Sequence, residues 1–306
     1  MLVRHSTANL LAGPAILPIK AGQWAALMLR IQGTTGAGAA PTVANFGLVR
    51  GRFIGRPFHS VTWNANQEVN RIDLGQVEHS IGAAGGNPIV SSLMILASRS
   101  ADGNIFDVDE NDDSAIEVTL DGLTAANTGG GTIQLYGIPQ EGVQMYIPQM
   151  FTRQPNLAAS TTDILRLKDE NVSTIYVVTL TNLDRLLGIK DGEVFCNAEV
   201  AALLSASNMD ARLEAAFTTS LRMDLHKSGS LTEALSDQVE LTITTTSGGA
   251  ATPEVVPVSL DFTPNGLARS NALVEGKAAL KIQRKIDAGK SRPVTVLNAI
   301  SAGRSS

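Results

Sequence analysis

Apolar and polar positions along this chain exchange over short stretches, and few windows hold a helical period for long. Residues 24–32 (WAALMLRIQ), set between Gly22 and the loop GTTGAGAAP, predict a buried strand. Residues 42–50 and 52–63 predict strands punctuated by Gly51 and Gly55 as turn or bulge points. A helical turn is expected over 67–75 (QEVNRIDLG) and a second buried strand over 91–98 (SSLMILAS). Residues 115–120 and 132–138 end the first half, with the turn NTGGG ahead of the second of them. In the second half 163–167 alternates, and 173–181 (STIYVVTLT) is the clearest core strand. Residues 192–204 read as a strand, with helix as the alternative over AEVAALL; 209–217 (MDARLEAAF) has helical composition behind Asn208 as N-cap. Strands follow at 221–225, 238–246 and 254–262, and Pro257 predicts that the last is an edge strand or carries a bulge.

Between the halves lies YGIPQEGVQMYIPQMFTRQP, residues 136–155. Its three prolines and two glycines fit neither a central strand nor a long helix, so it reads as a bridge. Both halves share one order: an apolar strand, a glycine-punctuated strand region, a short helical insert, then more strands. The expectation is an all-β chain of two like sandwiches or jelly rolls. Its layout is an arm over 1–20, a first sandwich over 21–140, a linker over 141–160, a second sandwich over 161–264 and a basic helix and tail over 265–306. Within the arm, 10–19 is apolar but broken by Gly13, Pro14 and Pro18, which fits an extended arm or first strand better than a secretion signal. In the tail, 269–288 predicts a helix with Ala272, Ala279, Ile282 and Ile286 on one face and Lys277, Lys281 and Arg284 on the other.

Composition narrows the function classes. A chain of 306 residues has room for two cores, and no apolar run approaches the length of a membrane span. The net charge of -5 gives no general attraction to nucleic acid. The charge is unevenly placed, however. Residues 1–67 hold no Asp or Glu but include Arg4, Lys20, Arg30, Arg50, Arg52 and Arg56, and the region after Asn265 is again basic. Basic ends on an acidic body predict an anionic partner: phospholipid, nucleic acid or an acidic neighbouring subunit. Arg4, Lys277, Lys281, Arg284 and Lys285 are the residues that would face it. Ordinary solvated charge, with the helix docked on its own domain, is the alternative. Few aromatics accompany these residues, so no specific nucleic-acid readout is expected.

Candidate chemistry is sparse. The acidic run Asp107, Asp109, Asp112 and Glu117 is the one metal candidate, for calcium, because calcium favours clustered carboxylates on a loop. Asp112 stands where the EF-hand glycine belongs and Val118 where its last Glu belongs, and a solvated acidic loop explains the run equally. Gly289-Lys290-Ser291 ends like a phosphate-binding loop, but Arg284 replaces the required first glycine. His5, His59, His79 and His226 are scattered and no G-x-S-x-G elbow occurs, so no enzyme and no other cofactor is expected. The single cysteine, Cys196, excludes an intramolecular disulfide.

Several stretches together resemble a known family. LPIKAGQWAALMLRIQG, APTVANFGLVRGRFIG and SAIEVTLDG in the first half are echoed by STIYVVTLTN and DGEVFCNAEVAALL in the second. The layout is similar to the double jelly-roll major capsid proteins of tailless, membrane-containing icosahedral bacteriophages of the corticovirus-like and tectivirus-like lineage. The resemblance implies two consecutive jelly-roll sandwiches with short helical inserts and a C-terminal helix. It implies homotrimers whose six jelly rolls form a pseudo-hexagonal capsomer in a virion shell, after synthesis in the host cytoplasm. Neighbouring trimers, penton and minor capsid proteins and an internal lipid membrane are its implied partners. The alternative is a β-sandwich adhesin or carbohydrate-binding module. Such a module is expected to expose aromatic platforms, yet Trp24 and Trp63 both fall in apolar strand runs.

Overall fold

The computed structural model describes residues 2–75, 77–99, 103–168, 171–190, 192–210, 219–225 and 238–263. The expected C-terminal helix over 269–288, with Lys277, Lys281, Arg284 and Lys285, lies outside the described residues, as do His226 and the phosphate-loop-like Gly289–Ser291 stretch.

The first half contains β1 (Val3–Asn9), β2 (Ala15–Pro18), β3 (Gly22–Thr35), β4 (Leu48–Phe53), β5 (Arg56–Thr62), α1 (Trp63–Leu74), β6 (His79–Ile81), β7 (Pro88–Leu96), β8 (Phe106–Val108), β9 (Ala115–Val118) and β10 (Thr128–Pro139). The second contains β11 (Tyr146–Phe151), β12 (Thr162–Lys168), β13 (Val172–Val178), β14 (Leu183–Lys190), β15 (Glu193–Glu199), α2 (Val200–Asp210), β16 (Ser220–Asp224), β17 (Gln238–Thr245) and β18 (Glu254–Phe262). One sheet runs β1-β10-β3-β7-β6, with β8 also on β3; a second runs β16-β13-β18-β11-β5-β4-β9-β2; a third runs β12-β17-β14-β15.

These orders define two jelly rolls. In the first, β1-β10-β3-β7 faces β2-β9-β4-β5; in the second, β11-β18-β13-β16 faces β12-β17-β14-β15. Strand for strand the two are the same, and each carries its helix between the fifth and sixth core strands. The duplication, faint in sequence, is complete in topology. Alternation builds the cores: β3 turns Leu27, Leu29 and Ile31 inward and Met28, Arg30 and Gln32 outward. Core strand β13 is buried at every position, because both of its faces are covered.

The eight-stranded sheet is a wall shared by both sandwiches. Val49 and Val61 are directly paired and so share a face; Val49 belongs to the core under the six-stranded sheet and Val61 to a cluster with Val69 of α1 and Tyr176, Val256 and Val258. The alternate residues Ile175, Val177 and Val255 join the core under the four-stranded sheet. The six-stranded sheet and α1 therefore lie on one face of the wall, and the four-stranded sheet lies on the other, over the β16-β13-β18-β11 half.

Several expectations are corrected. Residues 3–18, placed in the expected arm with a first strand as the alternative, form β1 and β2, one in each sheet of the first sandwich. The expected linker 141–160 contains β11, an interior strand. Pro148 fits there because its partner Leu260 directs its N–H and C=O toward Asn171 on the far side, so β18 asks nothing of the missing N–H. On the other side, pairing with β5 begins only at Met150. Strand β18 is likewise interior and not an edge, lying between β13 and β11. The missing donor of Pro257 is absorbed by a gap: the β11 ladder stops at Met150–Val258 and resumes at the Arg153–Val255 bridge. Helix α1 begins at Trp63, earlier than expected, because Thr62 caps it by accepting from the Ala65 N–H. Helix α2 likewise starts at Val200, so AEVAALL divides between β15 and the helix.

Candidate functional site: an assembly interface

Helix α1 has two working faces. One closes its own sandwich: Trp63 Nε1 donates to Ser91 Oγ at 3.0 Å, and Gln67 Nε2 donates to the same oxygen at 2.8 Å. Asn70 stands in for a strand partner, exchanging hydrogen bonds with the Met94 backbone N–H and carbonyl. The opposite face meets the second sandwich, where Ala65, Val69 and Ile72 pack on Met150, Tyr176, Val178, Val256 and Val258. Beside it β5 runs parallel to β11, pairing His59 with Met150 and Ser60 with Phe151.

A polar cluster rims this apolar seat. The buried Asp73 carboxylate accepts from Tyr176 Oη at 2.7 Å and from Arg222 Nη1 at 2.9 Å, and it pairs with Arg99. Arg222 also pairs with Asp224 at 3.0 Å, which brings two carboxylates against two guanidinium groups. Burial pulls the Arg99 guanidinium below its ordinary value and pushes the Tyr176 phenol above its own. Further along α1, Glu68 accepts from Thr219 and Ser220 of the second sandwich at 3.0 and 2.8 Å. At the helix start Thr62 Oγ1 donates to Glu254 at 2.7 Å, and burial raises the Glu254 carboxyl. The apolar contact supplies attraction and the paired charges fix the angle, since a buried charge displaced from its partner is costly. None of these residues was singled out from sequence. They come from five distant segments with no spacing to betray them, and the one signal was an arginine, Arg99, directly after an apolar strand.

The residues that were singled out lie elsewhere. Arg4 is exposed on β1 opposite Tyr136, within the sandwich and not on a free arm. The acidic run does not converge. Asp112 Oδ2 accepts from the Asp109 N–H at 2.9 Å, Asp107 sits on β8, and Glu117 lies on β9 paired with Arg50 at 3.3 Å. Among the described residues no group of three or more His, Cys, Asp or Glu side chains is arranged to hold a metal ion. Both tryptophans are buried, Trp24 with its Nε1 on the Lys20 carbonyl at 3.0 Å, so neither offers a sugar-stacking platform.

Among the described residues two surfaces carry hollows. The outer face of the six-stranded sheet carries an apolar patch with a basic edge: Tyr136, Met28 and Met94 form one row across β10, β3 and β7, with Arg4 of β1 at its end. Leu96, Ile138 and Leu74 join Met94 around a groove of about 520 Å³. The second is a hollow of about 370 Å³ beside the four-stranded sheet, on the outer side of β2, β4 and β5, lined by Ile16, Arg50, Arg52, Pro57 and Phe151.

No family model and no curated protein matches this chain. Solved structures do match. The major capsid protein P2 from bacteriophage PM2 superposes with a TM-score of 0.59 at 12% identity, covering 87% of this chain and 99% of that one. The fold is shared. The STIV MCP gives a TM-score of 0.65 at 12% identity over 86% of this chain and 97% of its own. A chain of the Sulfolobus Turreted Icosahedral Virus structure gives 0.62 at 13% identity, covering 93% and 98%. Among the described residues no helix is long and apolar enough to cross a membrane.

Proposed function

We propose that this protein is a structural building block of an icosahedral virus shell, a major capsid subunit. The observation that carries this reading is the side-by-side pairing of two topologically equal jelly rolls, locked by a shared sheet and a buried ion cluster. The described residues follow that plan, as do the PM2 and STIV capsid proteins on which they superpose. In this reading three copies form a pseudo-hexameric capsomer, because each chain presents two similar footprints. Neighbouring capsomers, penton and minor capsid proteins then complete the shell. The basic residues Lys277, Lys281, Arg284 and Lys285 face an internal anionic membrane. The protein is made in the host cytoplasm and ends in the virion.

Light scattering on the purified protein, with negative-stain images of the same peak, tests this reading. The expected result is a compact species of three times the monomer mass with a pseudo-hexagonal outline. A monomer that stays monomeric across salt and concentration would overturn it.

A further inference from the structure

The contact that joins the two sandwiches within the chain has its second half exposed on the same molecule. Helix α1 closes the first sandwich and lays its outward face on the second; α2 occupies the same topological place in the second sandwich. Each helix starts at the residue after the fifth core strand, so positions along one read onto the other. Val200 falls where Trp63 does, and both are buried. Leu203 and Leu204 fall where Asn66 and Gln67 do, and both pairs pack inward on their own sandwich. Ala202, Ser205 and Ala206 fall where Ala65, Glu68 and Val69 meet the second sandwich, and in α2 all three are exposed. Among the described residues, the face that α1 uses is uncovered in α2.

The receiving surface is open as well. Strands β1, β10, β3 and β7 correspond to β11, β18, β13 and β16. In the second sandwich the outer side of that sheet carries Met150, Tyr176, Val178, Val256 and Val258, all buried under α1. In the first, the equivalent side carries the half-buried Met28, Met94, Leu96, Tyr136 and Ile138 with their groove, and among the described residues no helix covers them. The strand edges repeat the pattern. Within the chain β5 lies beside β11; their counterparts β15 and β1 are both end strands of their sheets. Those edges are complementary in charge, since β15 exposes Glu193 and Glu199 and β1 exposes Arg4.

We propose that α2 and the β15 edge of one copy dock on the outer face of the six-stranded sheet and the β1 edge of a second copy. This reproduces between chains the α1–β5–β11 contact made within each chain. A head-to-tail contact of this kind closes a ring in which the two sandwiches alternate. It rests on the capsomer reading and names the surfaces through which the copies meet.

A photocrosslink tests it. Benzoylphenylalanine is placed at position 206 of the full chain, and ordinary and ¹⁵N-labelled protein are mixed, irradiated and digested for mass spectrometry. The expected products join two different chains, with the partner peptide carrying Met28, Met94 or Tyr136. An oligomer whose crosslinks fall on other peptides would overturn this docking and leave self-assembly standing, whereas a protein that is only ever monomeric would overturn the capsomer reading itself. Ala206→Glu and Met94→Glu should each abolish the oligomer peak in light scattering while the far-UV circular dichroism stays that of the folded chain. Retention of the oligomer by both variants would count against the proposed contact.

Discussion

His59 sits in a bulge of β5 opposite Gly51, fully buried where the two sandwiches meet. Burial, with the nearby Arg99 charge, lowers its pKa from 6.5 to about 3; burial and Lys20 lower that of His5 to about 4. Both rings are neutral when folded and protonated when unfolded over the interval between. Stability is therefore whole above pH 6.5 and falls as pH drops from 6.5 through the folded values. Urea midpoints measured downward from neutral pH should decline across that window, and His59→Leu should flatten the decline. A midpoint of the unaltered protein that stays level through the window would contradict a neutral buried His59. Ile54 is strained in a different way. It holds φ +51° in the two-residue turn between β4 and β5, next to Gly55 at +71°, and it is 54% exposed. A β-branched residue is poorly suited to that conformation, so Ile54→Asn should raise stability by about 1 kcal/mol in urea titration. An unchanged or lower midpoint would remove strain as the explanation.

At the scale of elements, α1 and its rim hold the two sandwiches in place. Asp73→Ala leaves the Arg99 guanidinium buried without its carboxylate and should cost about 3–5 kcal/mol. Adding Arg99→Met should recover much of that loss, and simple additivity of the two substitutions in chemical denaturation would show that the pair does not act as a unit. Val69→Ala, which removes two buried methyl groups from the apolar seat, should cost about 2 kcal/mol. The elements themselves were largely legible, because strands such as β3 and β13 announce themselves through alternation or an unbroken apolar run. The failures cluster at proline. Pro148 and Pro257 argued against interior strands, yet each sits where its missing donor goes unrequested or falls in a ladder gap, and this depends on register, which a single strand does not encode. The rim could not be read for the same reason. Asp73 and Arg222 are 149 residues apart and meet only because α1 crosses onto a sheet completed by the last strands.

For the whole molecule, the shared sheet and the cluster around Tyr176 make the two sandwiches mechanically one body, although each has its own core. Calorimetry should show a single cooperative transition. Asp73→Ala should split it in two by loosening the joint while sparing both cores. Two resolved transitions in the unaltered protein would show that the joint carries little energy. The strand order also bears on how the chain matures on the ribosome. Arg4 must wait for Tyr136, and Ala15 for Val118, so the first sandwich closes only when nearly half the chain has been translated. Long-range pairing of this kind is slow and leaves edges exposed to wrong partners. The second sandwich begins under different conditions: when β13 and β18 emerge, α1 is already in place as a template against which they can condense. The first sandwich thus acts as an intramolecular chaperone for the second, and nascent chains cut short before β10 should be the most prone to aggregate.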